Sequence, residues 1–428
     1  MDSLPAAPRF AVDVERLQHT IEELATIGRG EIGITRLPLS PQDLQAREYV
    51  THLMREAGLQ VRADALGNLF GKRVQAADPD LPSVVTGSHI CTGTNYGKYD
   101  GVVGVLGALE AMRLLNDHNI TTVHPIEVVV FTAEEPERFK AFMPGSRGVA
   151  GKLTAEDLRS FRDDDGISLW DALLEAGYDP SQLAAARRTR ETVKAYVELH
   201  IEQGRVLQDV GKHIGVVTAI AAPTRFWVTI SGRADHSGAT PMGMRKDALC
   251  AAAELISAVE QYGREEAHNA TVATVGYIKA EPGSMVVIPG KVRLSVDIRG
   301  INIASKKGVF DNVRQAMDRV SRQRDVEIGL EMIHHADPVP LADSVVSLIK
   351  ETCEEIGIDP WVMHSGAGHD AQQMASFTDV GMIFVPSVNG ISHSPQEFTP
   401  IEDIALGAQV LTHVLLKLSE EASPDHPA

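Results

Sequence analysis

At 428 residues the chain exceeds the size at which a single hydrophobic core keeps growing, so two domains are expected. Apolar content of 43% and charged content of 23% are ordinary for a globular protein, while a formal charge of −18 argues against nucleic acid or an anionic membrane as partner. Cys91, Cys250 and Cys353 are too scattered for a disulfide framework. The first ten residues lack the basic start and apolar run of a signal peptide, and no apolar stretch approaches the roughly 18 residues that span a bilayer. A cytoplasmic location is expected.

In chain order, residues 12–30 and 41–58 read as amphipathic helices, the second entered through Ser40-Pro41 and ended by Gly58. Residues 60–63, 68–73 and 83–88 are β-rich, and a glycine-rich turn at 96–104 leads into a helix over 102–115. Residues 126–132 form an apolar run, as a parallel strand covered on both faces does. Residues 194–198 are a further strand, with His200 placed just past it. From about residue 214 the texture changes: strands over 215–220, 225–232, 272–279 and 291–299 alternate with helices over 247–260 and 305–323. That is a ferredoxin-like pattern of four strands and two helices. Beyond Asp337-Pro338 the first texture returns, with a helix over 344–356, a strand over 382–385 and a closing helix over 404–418. The expected fold is α/β: a mixed-sheet catalytic domain of residues 1–213 and 328–428, carrying an inserted α+β domain of residues 214–327. The tail after Glu420 reads as disordered.

Five side chains of metal-ligand type stand near expected strand ends and turns: His89, Asp100, Glu135, His200 and His393. Each has an ordinary explanation taken alone. Asp100 heads a helix and reads as an N-cap, the Glu134-Glu135 pair as acidic residues before a helix start, and the histidines as packed or loop residues. Five such coincidences where α/β active sites form make a shared site the better reading. Imidazoles and carboxylates are what a metal-activated water requires, and Glu134 is the carboxylate left over to move a proton.

The stretches GSHICTGTNYGKYDG, FTAEEPERF, ELHIEQG, ADHSGATPM and ISHSPQE resemble the M20 metallohydrolases, in the branch that includes N-carbamoyl-amino-acid, allantoate and ureidoglycolate amidohydrolases. The resemblance runs in order along almost the whole chain. It implies that Asp100 bridges two metals, with His89 and His200 at one site and Glu135 and His393 at the other. Glu134 would be the general base. The cofactor would be one or two divalent transition metals per subunit, Mn2+ or Zn2+, and the inserted domain a lid and dimerisation domain. His236 would reach across a homodimer, or a higher homo-oligomer, to stabilise an anionic intermediate. Arg299 would clamp a substrate carboxylate, Gln203 would add a polar contact, and His369 would border the site.

Two positions depart from the pattern. Cys91 replaces the aspartate that holds the His89 imidazole, a kind of partner worth roughly 10–100-fold in metal affinity or activity. A loosely held metal is expected there, or direct ligation of a soft metal by the thiol. Val286 stands where the branch carries an asparagine, thirteen residues before Arg299, which points to a flatter, more apolar substrate. The expected activity is metal-dependent hydrolysis of a C–N bond in a small carboxylate-bearing molecule of the N-carbamoyl or ureido type. The alternative is an aromatic-amine aminohydrolase converting 5-nitroanthranilate to 5-nitrosalicylate and ammonia, which the family also includes. A dipeptidase and an inactive binding homologue stand behind these.

Overall fold

The structure is a computed structural model that describes residues 11–420; the expected disordered tail lies outside them. In chain order the strands are β1 (Leu59–Ala63), β2 (Leu69–Arg73), β3 (Ser83–His89), β4 (Ile126–Phe131), β5 (Val193–Ile201), β6 (Gly215–Ile220), β7 (Ala222–Ser231), β8 (Asp235–His236), β9 (Thr271–Glu281), β10 (Val287–Ile288), β11 (Lys291–Gly300), β12 (Glu327–His335), β13 (Val339–Pro340), β14 (Trp361–Ser365) and β15 (Asp379–Val385).

The described residues divide into two compact units, one of residues 11–218, 341–363 and 369–420, the other of residues 219–340 and 364–368. The first unit holds a mixed sheet in the order β1-β2-β4-β3-β5-β15-β6. Strands β4, β3, β5 and β15 run parallel at its centre, while β2 and β6 flank them antiparallel. Parallel strands need helical cover on both faces, and their composition shows it: β3 and β4 are buried along their whole length. The helices Val102–Asp117 and Ile401–Glu420 supply much of that cover through one large apolar core that includes Val105, Leu109, Leu199, Leu411 and Leu415. The first helices begin as the sequence dictates. Asp13 caps Val14–Thr26, and Ser40 caps Pro41–Glu56, with proline at the first helical position.

The second unit is an antiparallel sheet in the order β12-β7-β11-β9, with the helices Ala248–Glu265 and Ile303–Arg324 packed on one face. Alternating burial along β7 and β11 marks the covered face, with Phe226, Val228, Ile230, Val292, Leu294, Val296 and Ile298 pointing to the helices. Residues 215–220 form a strand, but it pairs with β15 in the larger sheet, and the fourth strand of the smaller sheet is β12. Expectation had ended the smaller domain at residue 327, where that strand begins. The pattern misled because β12 is an edge strand with mostly exposed side chains, whereas β6 is apolar enough for either sheet.

Candidate metal centre and active site

Four parallel strands deliver the site at their carboxyl ends. His89 is the last residue of β3, Glu134 and Glu135 follow β4, His200 lies near the end of β5, and His393 sits on the loop beyond β15. His200 belongs to the strand itself, which runs to Ile201 and not only to residue 198. Asp100 does not cap the helix that follows; the capping position is Gly101, with φ of +66°. A Cβ at Gly101 would stand 2.5 Å from the His89 ring, so only glycine lets that backbone pass. Its amide lies 3.2 Å from His200 Nε2.

Among the described residues the candidate ligand atoms converge in three groups; Glu198, His200 and His369 form one, and the other two share Asp100. Of these two, His89, Asp100 and His200 form the first, and Asp100, Glu135 and His393 the second; within each the nearest ligand atoms all lie within 4.8 Å of one another. His200 Nε2 stands 3.4 Å from Asp100 Oδ1, and His393 Nε2 stands 3.0 Å from Asp100 Oδ2 and 3.4 Å from Glu135 Oε1. Glu134 belongs to none of these groups, but its Oε2 lies 3.7 Å from His89 Nε2. Left-handed backbone at Ala133 (φ +56°) and His393 (φ +53°) turns these residues inward, a costly conformation that recurs where function demands it.

Burial dominates the electrostatics. It pushes both Glu134 and Glu135 well above the usual carboxylate range, helped in each case by neighbouring carboxylates. It lowers His89 to about 4 and holds His369 well below the ordinary imidazole range. Asp100 is the exception: burial opposes its charge, yet the close His393 ring and the surrounding imidazoles hold it below the ordinary range. A buried cluster with surplus carboxylates is a cation's environment, and Asp100 shows it directly. Its Oδ2 is buried and makes no well-directed hydrogen bond, although His393 Nε2 lies 3.0 Å away. Nitrogen and oxygen lone pairs facing one another across that distance fit a cation between them, and the His and carboxylate donor set suits a divalent ion.

Cys91 departs from expectation. The carbonyl oxygen of Cys91 receives the His89 Nδ1–H at 3.1 Å and is a nearer partner than the thiol. The sulfur is 3.8 Å from that nitrogen and accepts a hydrogen bond from the Glu135 amide. The thiol is not part of the candidate ligand groups, and the imidazole keeps a strong acceptor without the aspartate. His200 is held in the same way, its Nδ1–H donating to the Ile201 carbonyl at 2.9 Å. Gln203 donates to Asp100 Oδ1 at 2.9 Å, and the His369 ring packs edge-on against His200 at 4.5 Å.

Several participants were not singled out from sequence. Glu397 accepts the amides of Tyr99 and Asp100 through one oxygen, fixing the loop that presents Asp100; burial and Asp100 raise it to about 7. Glu198 is satisfied by Ser88, Tyr196 and the Ala371 amide, and Asp370 accepts from Ser146. Together they form a polar layer beneath His200 and His369. Their signal was present, since Glu397 and Asp370 lie within ISHSPQE and SGAGHDA, but a carboxylate that holds backbone looks like any other acid.

The remaining expected residues lie in the second unit. His236 pairs with Val287 in the short ribbon of β8 and β10, and Val286 is exposed beside it, its carbonyl accepting the Ser237 amide. Arg299 donates to Asp297 and to the Gly366 carbonyl. With Arg225, Thr274, Ser295 and Asp297 it lines a groove of about 520 Å³ on the uncovered face of the sheet.

Comparison with known proteins agrees with this geometry. Residues 89–417 match the model of peptidase family M20/M25/M40. The chain is 41% identical to an N-carbamoyl-L-amino acid amidohydrolase of Geobacillus stearothermophilus over 95% of its length and 98% of that protein's. It is 40% identical to a ureidoglycolate hydrolase of Oryza sativa subsp. japonica, covering 96% of this chain and 86% of the relative. The structure of a hydantoinase/carbamoylase-family amidase from Burkholderia multivorans superposes with a TM-score of 0.91 at 37% identity, covering 97% of this chain and all of the other. A hydrolase of carbon–nitrogen bonds, built around residues suited to a divalent metal, is the class that fold and site define. The chain belongs to peptidase family M20/M25/M40.

Proposed function

We propose that this protein hydrolyses the C–N bond of a small N-carbamoyl or ureido acid, as a homodimer with Mn2+ or Zn2+ at the Asp100-centred site. The observation that carries the reading is Asp100 shared between two ligand groups, with the Glu134 carboxylate free beside them. The names of the relatives support the substrate class and do not favour the aromatic-amine alternative.

His89 and His200 would hold one metal with Asp100, and Glu135 and His393 the second. When bound, a divalent cation lowers the pKa of water and polarises the substrate carbonyl. Glu134 accepts the proton of the attacking water and returns it to the leaving nitrogen. His236 has a fixed tautomer: its Nδ1 accepts the Gly238 and Ala239 amides at 3.0 and 3.1 Å, so Nε2 carries the hydrogen and is the donor available to an oxyanion. Arg299 takes the substrate carboxylate, for which a guanidinium fork is suited. Val286 gives the pocket an apolar contact, and Gln203 and His369 line the floor. The inserted unit serves as lid and dimerisation domain.

The test is turnover by metal-reconstituted protein on N-carbamoyl amino acids, ureidoglycolate, allantoate and 5-nitroanthranilate. Ammonia release from the first three, abolished by Glu134→Gln, is expected. Turnover of 5-nitroanthranilate alone, or full activity of the Glu134→Gln enzyme, would overturn the proposal.

A further inference from the structure

His393 differs from the other two histidines of the site. Its side chain is 47% exposed, its backbone is left-handed, and among the described residues its Nδ1 meets a side chain instead of a carbonyl oxygen. What meets Nδ1 is the hydroxyl of Tyr96, at 3.0 Å, with the two rings stacked at 4.4 Å. That hydroxyl has one hydrogen, and it is directed to Glu137 Oε1 at 2.6 Å. The phenol oxygen is therefore an acceptor toward His393, and Nδ1 must carry the hydrogen. Nε2 is left as an acceptor that faces Asp100 and Glu135, with the Gln203 amide nitrogen 3.2 Å away.

The surroundings of Tyr96 are built for this. Its amide and carbonyl both pair with Ile34, which pins the loop to the N-terminal segment. Asn95 before it is left-handed at φ +59°. A Cβ at Gly93 would fall 2.4 Å from the Tyr96 ring, so the glycine opens the space that the ring fills. Glu137 follows the ligand Glu135 by two positions, so one turn supplies both a ligand and the terminus of the chain of hydrogen bonds.

We propose that Tyr96 and Glu137 are positioning residues that form a relay, Glu137–Tyr96–His393, which sets the tautomer and orientation of His393 and so the affinity of the second metal position. Neither touches the reacting atoms. The inference rests on the reading of His393 as a ligand, and it adds a three-residue connection that replaces the backbone carbonyl used by His89 and His200. An imidazole whose far nitrogen donates to a firm acceptor is a better and better-aimed ligand.

The test is a Zn2+ titration of chelator-stripped full-length protein against a chromophoric competitor, for wild type and for Tyr96→Phe, Glu137→Ala, Glu137→Gln, the Tyr96→Phe/Glu137→Ala double variant and His393→Ala. His393→Ala identifies the binding event that depends on His393. Tyr96→Phe and Glu137→Ala should weaken that same event by roughly 10–100-fold. Glu137→Gln should stay within about threefold of wild type, because its amide oxygen still accepts the phenol hydrogen. The double variant should be no weaker than the worse single one, since one chain is broken only once. Wild-type affinity in Tyr96→Phe alongside a weakened His393→Ala overturns the relay. Additive losses with a lowered melting temperature of the metal-free protein also overturn it, as they describe packing alone. Wild-type affinity in His393→Ala overturns the ligand reading itself.

Discussion

The two halves of the candidate metal centre are anchored in different ways. On one side His89 and His200 are buried, and each donates Nδ1–H to a main-chain carbonyl, of Cys91 and of Ile201. On the other, His393 is half exposed, and its orientation depends on two further side chains. A carbonyl anchor survives any substitution that keeps the backbone in place, which explains how the first half accommodates cysteine where an aspartate is expected. A side-chain anchor is lost with a single hydroxyl. The first half is therefore robust to sequence change and the second is adjustable.

Replacing Asp100 attacks both halves at once and should have the largest effect. Asp100→Ala is expected to lose all tightly held metal, measured by elemental analysis after gel filtration, and to lower kcat/KM by on the order of 10⁴-fold or more. Retention of one metal equivalent would show that the halves are independent and that Asp100 is not shared. Gly101→Ala tests the close passage beneath His89. A left-handed φ and a Cβ 2.5 Å from the ring should lower stability by about 1–3 kcal/mol, read from urea unfolding.

An acid limb of stability should come from outside the site. Burial acts to raise Glu127, but the bidentate Arg188 and the Ser83 hydroxyl hold it below its ordinary value. Because its folded pKa is depressed, it adds stability that is fully present above about pH 4.5 and is lost as pH falls through the lowered value. Glu127→Gln should flatten that acid dependence and lower stability at neutral pH by about 1–3 kcal/mol, since Arg188 loses its partner. Metal affinity at pH 7 should stay within about threefold of wild type, because Glu127 lies at the opposite end of β4 from Glu134. The smallest effect is the sharpest test of the comparison. Cys91→Ala leaves the carbonyl in place, so the affinity of the metal held by His89 should change by less than about tenfold. A larger loss would mean that the thiol, through the Glu135 amide, supports the site.

How far the site was legible follows from where each residue gets its meaning. His89, Asp100, Glu134, Glu135, His200 and His393 stand in order near strand ends, and local pattern suffices to locate a strand end. Tyr96 and Glu137 stood in the quoted motifs without a role, because an aromatic in a glycine-rich turn and a third acid after a pair carry no distinguishing signal. Their meaning comes from proximity to His393, which is 297 residues from Tyr96 in the chain. Strand β12 was missed for a related reason. An edge strand with a solvated face obeys weak periodicity, and its partner is chosen by the sheet rather than by its own residues.

By itself, then, the amino-acid sequence determined the parallel α/β core, the four-strand, two-helix character of the second unit and the inventory of candidate ligands. Apolar periodicity and side-chain chemistry act locally, and both are written residue by residue. Only the tertiary structure decided which atom holds each imidazole: the carbonyl of Cys91 for His89, that of Ile201 for His200, and the hydroxyl of Tyr96 for His393. Hydrogen-bond direction depends on distances of a few tenths of an ångström between segments far apart in the chain, and no linear pattern encodes them.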